Sequence, residues 1–334
     1  MIRVLITGAN GFVGSHILEN MLQQPNIEVI AACRDKSKLV ASFTGEVRQG
    51  DLRDEKYRHN LLDDIDMVCH AAAWTALWGH REDSEALYLE PSLKLIDLAA
   101  SKGIKRFINV STTSANPAES RNAFSPGIKR RFWPHLNSVI NIENYMQKKA
   151  SKEIQMINLR LGIFAGERYG LGLLPILLPR LKTHLVPWVS AGRTSMPIID
   201  GRDIAQAFTQ ACLAKDLKPY ESFNIVGPSI PNVRQVIEFI HQQYQYPKPH
   251  FSVPFCIAYP FAQLIESIDP IVPWEPLVTR SIIHLLENTD VDNQRAFERL
   301  GYQAKFDWKI AVSNQINEII RQNNPAMKMA KQII

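Results

Sequence analysis

The first half of the chain alternates short apolar runs with stretches of helical periodicity. The apolar runs, which predict buried strands, are residues 2–7, 28–33, 67–71, 107–111 and 154–161. Helical patterns cover residues 14–24, 91–101 and a helix that ends at residues 61–64. Strands without a polar face need helices on both sides, so the alternation predicts a parallel sheet covered on both faces, with right-handed crossovers.

The pattern changes after residue 162, where prolines and short irregular segments become frequent. Helices are predicted at residues 203–214, 232–243, 257–268 and 278–286, with a strand at residues 222–226. We therefore predict an α/β fold with a doubly wound parallel sheet and a smaller mixed C-terminal part that binds substrate. The sheet domain is expected to comprise residues 1–164, with residues 198–228 returning to it. The C-terminal part is expected to comprise residues 165–197 and 229–334.

Composition narrows the class of protein. The 334 residues, 46% of them apolar, are enough to bury a large core. The net charge of +5 is mild and its basic residues are interleaved with acids, so no nucleic-acid partner is expected. No uninterrupted apolar run reaches the roughly 18 residues of a membrane span. The four cysteines have neither CxxC nor zinc-ligand spacing, which predicts reduced thiols, no metal and a cytoplasmic location.

A strand-like run leads directly into three regularly spaced glycines, Gly8, Gly11 and Gly14, and a helical pattern follows. Gly8 permits a tight turn, Gly11 lets the backbone approach a phosphate, and Gly14 lets the helix pack close to the strand. A pyrophosphate would then lie at the positive N-terminal end of that helix. We therefore predict a dinucleotide site that also includes Asn10, Phe12 and Val13.

This glycine spacing, with Thr7 before it, is similar to that of the extended short-chain dehydrogenases/reductases, also called the NAD-dependent epimerase/dehydratase family. Further segments resemble that family in order along the chain: residues 50–54, 70–73, 107–111, 159–162, 197–205, 223–227 and 300–302. The resemblance implies a Rossmann fold for the doubly wound sheet. It also implies cofactor contacts near the adenine and its ribose, at Asp51, Leu52, Ala71, Ala72 and Ala73.

The residue that follows the second strand distinguishes the two nicotinamide cofactors. An acid there binds the ribose 2′-hydroxyl of NAD, whereas an arginine pairs with the 2′-phosphate of NADP. Arg34 takes the first position, with Lys36 and Lys38 nearby, while Asp35 competes one residue later. We therefore expect NADP as the cofactor, with NAD as the alternative.

Family members place a catalytic Ser or Thr after the strand that corresponds to residues 107–111. Its hydroxyl hydrogen-bonds the substrate oxygen, while a Tyr-x-x-x-Lys on the next helix supplies the proton and lowers the pKa of the tyrosine. Thr112 matches the hydroxyl position in this chain. Ser111 and Thr113 stay as alternatives one residue away.

The Tyr-x-x-x-Lys motif has two alternative assignments. A literal match stands at Tyr145 and Lys149, but Tyr145 lies only 15 residues before Arg160, a shorter spacing than in the family. Aligning Ser138 and Glu143 with the family pattern instead shifts the motif ten residues toward the N-terminus. Ten residues of helix span about 15 Å, so the two assignments describe different places. We favour the second, in which Tyr145 and Lys149 form a surface pair.

In the favoured assignment His135 takes the position of the tyrosine and Val139 that of the lysine. Val139 cannot hold the ribose hydroxyls. His135 has two interpretations: a proton donor whose unperturbed pKa of about 6.5 suits neutral pH, or only the residue after Pro134 at the start of a helix.

These patterns predict an NAD(P)-dependent oxidoreductase acting on a carbonyl or alcohol of a small organic substrate, with Thr112 and His135 as catalytic residues. The alternatives are a catalytically inactive cofactor-binding protein, a sugar epimerase or dehydratase, and a non-redox enzyme on the same fold. Trp74, Trp78 and the loop of residues 120–134 are expected to flank the substrate cleft. Family members often pair two long helices into a homodimer, for which residues 93–100 and 136–146 are the surfaces to test.

Overall fold

The computed structural model describes residues 1–76, 79–115, 133–268, 279–285 and 291–323. The strands are β1 (Ile2–Thr7), β2 (Ile27–Cys33), β3 (Val47–Gln49), β4 (Met67–His70), β5 (Arg106–Thr112), β6 (Gln155–Leu161), β7 (Ile163–Ala165), β8 (Trp188–Val189), β9 (Ile198–Asp200), β10 (Tyr220–Ile225) and β11 (Ser252–Val253).

The α-helices are α1 (Phe12–Met21), α2 (Glu55–Leu61), α3 (Arg81–Ser84), α4 (Glu90–Ser101), α5 (Pro134–Lys149), α6 (Leu173–Leu181), α7 (Gly201–Leu213), α8 (Val233–Tyr244), α9 (Phe255–Ile268), α10 (Arg280–Leu285), α11 (Gln294–Leu300) and α12 (Trp308–Asn323). A π-helical turn, Glu85–Leu89, joins α3 to α4. Three short 3₁₀ turns cover Lys36–Lys38, Thr113–Ala115 and Ser190–Gly192.

Seven strands form one sheet in the order β3-β2-β1-β4-β5-β6-β10, and all its neighbouring strands are parallel. Successive strands are added on one side of β1 up to β3, and the chain then crosses to the other side for β4. Ligands of such sheets bind at the carboxyl ends of the strands, beside this reversal. The predicted α/β class and doubly wound Rossmann sheet are confirmed.

Helices bury both faces of the sheet. On one face, α1 and α7 pack together over a core in which Ile17 and Phe208 are fully buried. On the other face, α2, α4 and α5 cover a second core that includes Leu95 and Ile142. This arrangement explains why the strands read as apolar runs without a polar face.

The C-terminal region adds two small sheets, in which β7 pairs with β9 and β8 pairs with β11. Helices α6, α8 and α12 share a further apolar core around Trp308. Residues 198–228 supply α7 and the edge strand β10 to the main sheet domain, whereas β9 pairs outside the main sheet. The division into two parts stays a prediction.

One helix is longer than its sequence pattern indicated. The sequence pattern predicted a helix that starts at Pro91. The structure instead runs helical from Arg81 to Ser101 through the π turn, in which the N–H of Glu90 bonds to the carbonyl of Glu85. The proline therefore follows a widened turn rather than a helix start.

The thiols Cys33, Cys69 and Cys212 are free and buried, which confirms the burial expected for the first two. The Sγ atoms of Cys69 and Cys212 lie 3.6 Å apart. Among the described residues, no helix is both long and apolar enough to cross a membrane. The same part of the chain has no group of three or more His, Cys, Asp or Glu residues that could hold a metal ion.

Candidate cofactor and catalytic site

The glycine turn connects β1 to α1 with no room for side chains. Gly8 has a φ of +66°, and a Cβ there would lie 2.8 Å from the backbone of Ala72. A Cβ on Gly14 would overlap the carbonyl oxygen of Gly8 and lie 2.8 Å from the Cα of Ala9. The N–H of Gly11 closes the turn by donating to the carbonyl of Gly8 at 2.9 Å. The geometry therefore requires glycine at positions 8 and 14, and it leaves the helix N-terminus open to an anion.

The other predicted residues of this turn contribute in different ways. Asn10 donates its side-chain Nδ2 to the carbonyl of Asp35 at 2.9 Å and so ties the turn to the end of β2. The ring of Phe12 packs against Phe164 and Tyr169, and Val13 is buried in the core. Only the backbone N–H groups of Phe12 and Val13 are therefore available to a phosphate.

A cavity of about 250 Å³ lies at the carboxyl ends of β1, β2 and β4. The sequence-predicted residues that line it are Gly8, Asn10, Gly11, Arg34, Asp51, Leu52, Ala71, Ala72, Ala73 and Trp74. Lining residues that the sequence patterns did not assign include Thr7, Arg53, Tyr57, Leu87, Tyr88 and Ser92. The cavity thus brings together most of the predicted cofactor residues, whose role in binding stays a prediction.

A chain of hydrogen bonds runs under this cavity from β1 to the π turn. The hydroxyl of Ser92 donates to the carbonyl of Tyr88 at 2.6 Å, so its oxygen can accept only from Nε2 of His70, 2.9 Å away. Nδ1 of His70 must then accept from the hydroxyl of Thr7 at 2.8 Å. Burial lowers the pKa of His70 to about 4, which keeps this neutral tautomer at neutral pH. A histidine at a strand end followed by small residues was the available signal for this network.

Near the end of β2, Asp35 and Asp51 are paired with neighbouring side chains, whereas Arg34 is exposed. The carboxylate of Asp35 accepts from the N–H and hydroxyl of Ser37 and pairs with Lys38 at 3.4 Å. Arg53 pairs with Asp51 through two hydrogen bonds of 3.0 and 2.7 Å, which lowers the pKa of Asp51 to about 2. Arg34 is exposed at the cavity, and its guanidinium makes no ion pair within the described part of the chain.

The three hydroxyls at the end of β5 have different surroundings. Ser111 is buried and donates to Oε1 of Glu143 at 2.5 Å. The same carboxylate accepts two bonds from Arg160, of 3.0 and 2.6 Å, which fixes Ser111 in a structural network. Thr113 is buried in the 3₁₀ turn, whereas Thr112 is half-buried and accepts from the N–H of Ser114 at 3.3 Å. Thr112 therefore has the most available hydroxyl of the three.

The first turns of α5 differ from the pattern expected of a catalytic helix. The ring of His135 lies 5.5 Å from that of Tyr88 and bonds to the backbone of Trp74, two residues that line the cavity. Its Nδ1 is shielded from solvent and has no partner within the described residues. Enclosure lowers the pKa of His135 to about 4, because the charged ring would lose its hydration. At neutral pH the ring is uncharged, so it is not the cationic acid that an unperturbed pKa suggested.

Val139 is 3% exposed and lies in the apolar core with Leu136, Ile142 and Met146. One residue earlier, the hydroxyl of Ser138 bonds to that of Ser84 in α3 at 2.9 Å. The side chain at the expected lysine position is thus directed into the core of the domain.

The literal Tyr-x-x-x-Lys lies at the other end of α5. The hydroxyl of Tyr145 bonds to both carboxylate oxygens of Asp97 at 2.7 Å, and Lys149 pairs with the same carboxylate at 2.6 Å. The side chains of Lys149 and Asp97 are about half exposed, and neither Tyr145 nor Lys149 lines the cavity. This geometry agrees with the surface pair expected from the sequence.

Part of the predicted cleft lies outside the described residues, namely Trp78 and residues 120–132 of the loop. Of the rest, Trp74 lines the cavity and Trp133 is buried at the start of α5.

A family model for the NAD dependent epimerase/dehydratase family matches residues 4–226. The chain belongs to this family. Among curated relatives of this epimerase/dehydratase chain, a 3 beta-hydroxysteroid dehydrogenase/Delta 5-->4-isomerase of Mycobacterium tuberculosis (strain ATCC 25618 / H37Rv) is 32% identical over 119 residues. That match covers 34% of the chain and 32% of the relative, so the chain spans about a third of that relative's length.

Solved structures share the fold of this epimerase/dehydratase chain over nearly its whole length. The crystal structure of gox2253 superposes with a TM-score of 0.75 at 20% identity, covering 97% of this chain and 99% of its own. A UDP-glucuronic acid 4-epimerase from Bacillus cereus, in complex with NAD, gives a TM-score of 0.72 at 16% identity and covers 97% and 100%. At these identities the likeness establishes the Rossmann fold.

Proposed function

We propose that the protein is an NADP-dependent oxidoreductase that acts on a carbonyl or alcohol of a small organic substrate. The observation that carries the proposal is the meeting of His135 with Tyr88 and Trp74 at the wall of the cavity below the glycine turn. The phenol of Tyr88 and the imidazole of His135 thus lie next to the space where a dinucleotide would fit.

The residues present fit a dinucleotide. The turn at Gly8 and Gly14 excludes side chains by overlap with backbone, which leaves space for a pyrophosphate at the start of α1. When bound, a nicotinamide cofactor supplies the hydride chemistry. The Bacillus cereus 4-epimerase of the same fold is described as an NAD complex, which supports a cofactor of this type.

The preference for NADP is based on the charges at the end of β2. Arg34 is open at the cavity, whereas Ser37 and Lys38 already bind the carboxylate of Asp35. An open guanidinium suits a 2′-phosphate, and a carboxylate committed elsewhere is a poor partner for a ribose hydroxyl.

On the substrate side, the chain offers neutral groups in place of a tyrosine–lysine pair. The hydroxyl of Thr112, the most available at the end of β5, would orient a substrate oxygen, and the uncharged ring of His135 packs on Tyr88 at the cavity wall. Val139 supplies no charge, so the ribose is held by other groups.

The test is hydride transfer from NADPH to a panel of aldehydes and ketones, followed by the nicotinamide absorbance, for wild type and His135→Ala. We expect measurable turnover in the wild type and a large loss in the variant. Tight NADPH binding without turnover on any carbonyl would overturn the oxidoreductase in favour of a cofactor-binding protein. Interconversion of sugar nucleotides without net oxidation would instead favour an epimerase, the activity named for the Bacillus cereus neighbour.

A further inference from the structure

None of the sequence motifs assigns a role to Tyr88. It lies on the π turn Glu85–Leu89, the single interruption of α-helical geometry between α3 and α4. A π turn inserts an extra residue, shifts the side chains around the helix, and occurs frequently at functional sites. The shift here directs a tyrosine to the wall of the cofactor cavity.

Tyr88 is held in place from two directions. Its carbonyl accepts from Ser92, the last member of the hydrogen-bond chain that begins at Thr7. Its ring packs against that of His135, with 5.5 Å between the centroids and 30° between the planes. The side chain is 4% exposed, so the ring has little freedom to turn away.

The hydroxyl of Tyr88 is uncommitted. Two phenols line the cavity, and that of Tyr57 already donates to the carbonyl of Arg48 at 2.7 Å. No hydrogen bond joins the Tyr88 hydroxyl to any residue that the structure describes. Burial and the carboxylate of Glu143 raise the pKa of Tyr88, so the phenol keeps its proton at neutral pH.

We propose that the Tyr88 phenol donates the hydrogen bond and the proton to the substrate carbonyl oxygen, and that His135 is its positioning residue. This inference rests on the proposed function and extends it by naming the donor. It also accounts for the missing tyrosine of α5, because the phenol reaches the cavity from the π turn of the neighbouring helix.

In the proposed step, a ketone is reduced to an alcohol. A bound reduced nicotinamide dinucleotide would supply the hydride and be oxidised, and the carbonyl carbon would gain the C–H bond as the C=O π bond opens. The resulting oxygen takes the proton of the Tyr88 hydroxyl, and the phenolate regains a proton from water. A phenol is a stronger acid than an alkanol, so the transfer stays downhill even though burial raises the pKa of Tyr88.

The experiment compares Tyr88→Phe with Tyr145→Phe, a matched loss of one phenolic hydroxyl at the surface pair with Asp97. Tyr88→Phe keeps the ring that packs on His135 and removes only the oxygen. We expect single-turnover hydride transfer to fall by about 10²-fold or more in Tyr88→Phe. The dissociation constant of NADPH, read from protein fluorescence, should stay within about twofold of wild type because the ring that lines the cavity is kept.

The affinity for a ketone is a second measurement, and it does not require turnover. A ketone from the panel is titrated calorimetrically into the complex with NADP⁺, which cannot deliver hydride. Loss of one hydrogen-bond donor should weaken ketone binding by about fivefold in Tyr88→Phe and leave it unchanged in Tyr145→Phe. Wild-type kcat should also stay level through neutral pH, since neither His135 nor Tyr88, with Glu143 beside it, titrates there.

The outcomes separate the two proposals. An active wild type with a Tyr88→Phe variant that keeps its rate and its ketone affinity would overturn Tyr88 as donor and leave the oxidoreductase intact. A kcat that declines from acid pH through neutral would assign the proton to a histidinium and overturn Tyr88 even if the variant fails to fold. No hydride transfer by the wild type on any carbonyl overturns the function and the donor together.

Discussion

The glycine turn borders the cavity, whereas the first turn of α5 contacts it through Tyr88 and Trp74, and the two regions are built by different means. In the turn, backbone atoms leave no space for any Cβ at positions 8 and 14. In α5, the positions that the favoured assignment gives to a tyrosine and a lysine hold His135, packed on Tyr88, and Val139, in the apolar core. A site shaped by backbone atoms tolerates almost no substitution. A site shaped by side chains can instead receive an equivalent group from a neighbouring helix.

The largest expected effect comes from a methyl group in the turn. Gly14→Ala places its Cβ against the carbonyl of Gly8 and the Cα of Ala9, backbone atoms that cannot move aside. We expect the free energy of unfolding to fall by about 3 kcal/mol, with loss of NADPH binding. Gly170→Ala is the control, because its Cβ would meet nothing within 4 Å. Equal stability of both variants in urea unfolding would show that the turn is not constrained as described.

Acid should destabilise the protein through its enclosed histidines, among which His70 and His135 have the largest pKa shifts. Both have a pKa lowered from 6.5 to about 4, so the folded state binds fewer protons than the unfolded state. Their contribution to stability is complete above about pH 6.5 and is lost as the pH falls toward 4. We expect about 2 kcal/mol of loss from the fully buried His70 between about pH 7 and pH 5, and less from the partly exposed His135.

The measurement is urea unfolding at both pH values for wild type, His135→Gln and the exposed control His59→Gln. His135→Gln should flatten the pH dependence in part, and His59→Gln should leave it as in the wild type. A pH dependence unchanged in His135→Gln would mean that this ring is solvated in the folded state.

Arg34→Ala tests the charge at the end of β2 and should change binding without changing stability. Loss of a charge-assisted pair with a 2′-phosphate should raise the dissociation constant of NADPH about tenfold or more, while that of NADH stays within about twofold. Arg193→Ala, an exposed arginine outside the cavity, is the control. Parallel losses for both cofactors would place Arg34 on a part of the dinucleotide that they share.

The smallest effect is expected at the surface end of α5. Tyr145→Phe removes hydrogen bonds to Asp97, an exposed group, and should change the free energy of unfolding by about 0.5 kcal/mol or less. Turnover should not change. A variant that folds normally and loses hydride transfer would restore the literal Tyr-x-x-x-Lys as the catalytic pair.

The sheet and the glycine turn were predictable because they depend on local rules. Strands apolar on both faces require helices on both sides, and the turn requires glycine. The position of Tyr88 at the cavity wall was not predictable, because it depends on a π turn in a stretch that the sequence pattern did not assign to a helix. The pairing of Glu143 with Arg160 was likewise visible only as two family positions, since the contact joins a helix to a strand.

The buried position of Val139 limits which substitutions this helix can accept. A lysine introduced there would bring an ammonium group among Leu136, Ile142 and Met146, at a cost of several kcal/mol unless the core changed as well. Building a charged Tyr-x-x-x-Lys pair here would therefore take several coordinated substitutions, each unfavourable until the others are present. An engineered gain of activity at this end of α5 would accordingly start from the neutral side chains already in place.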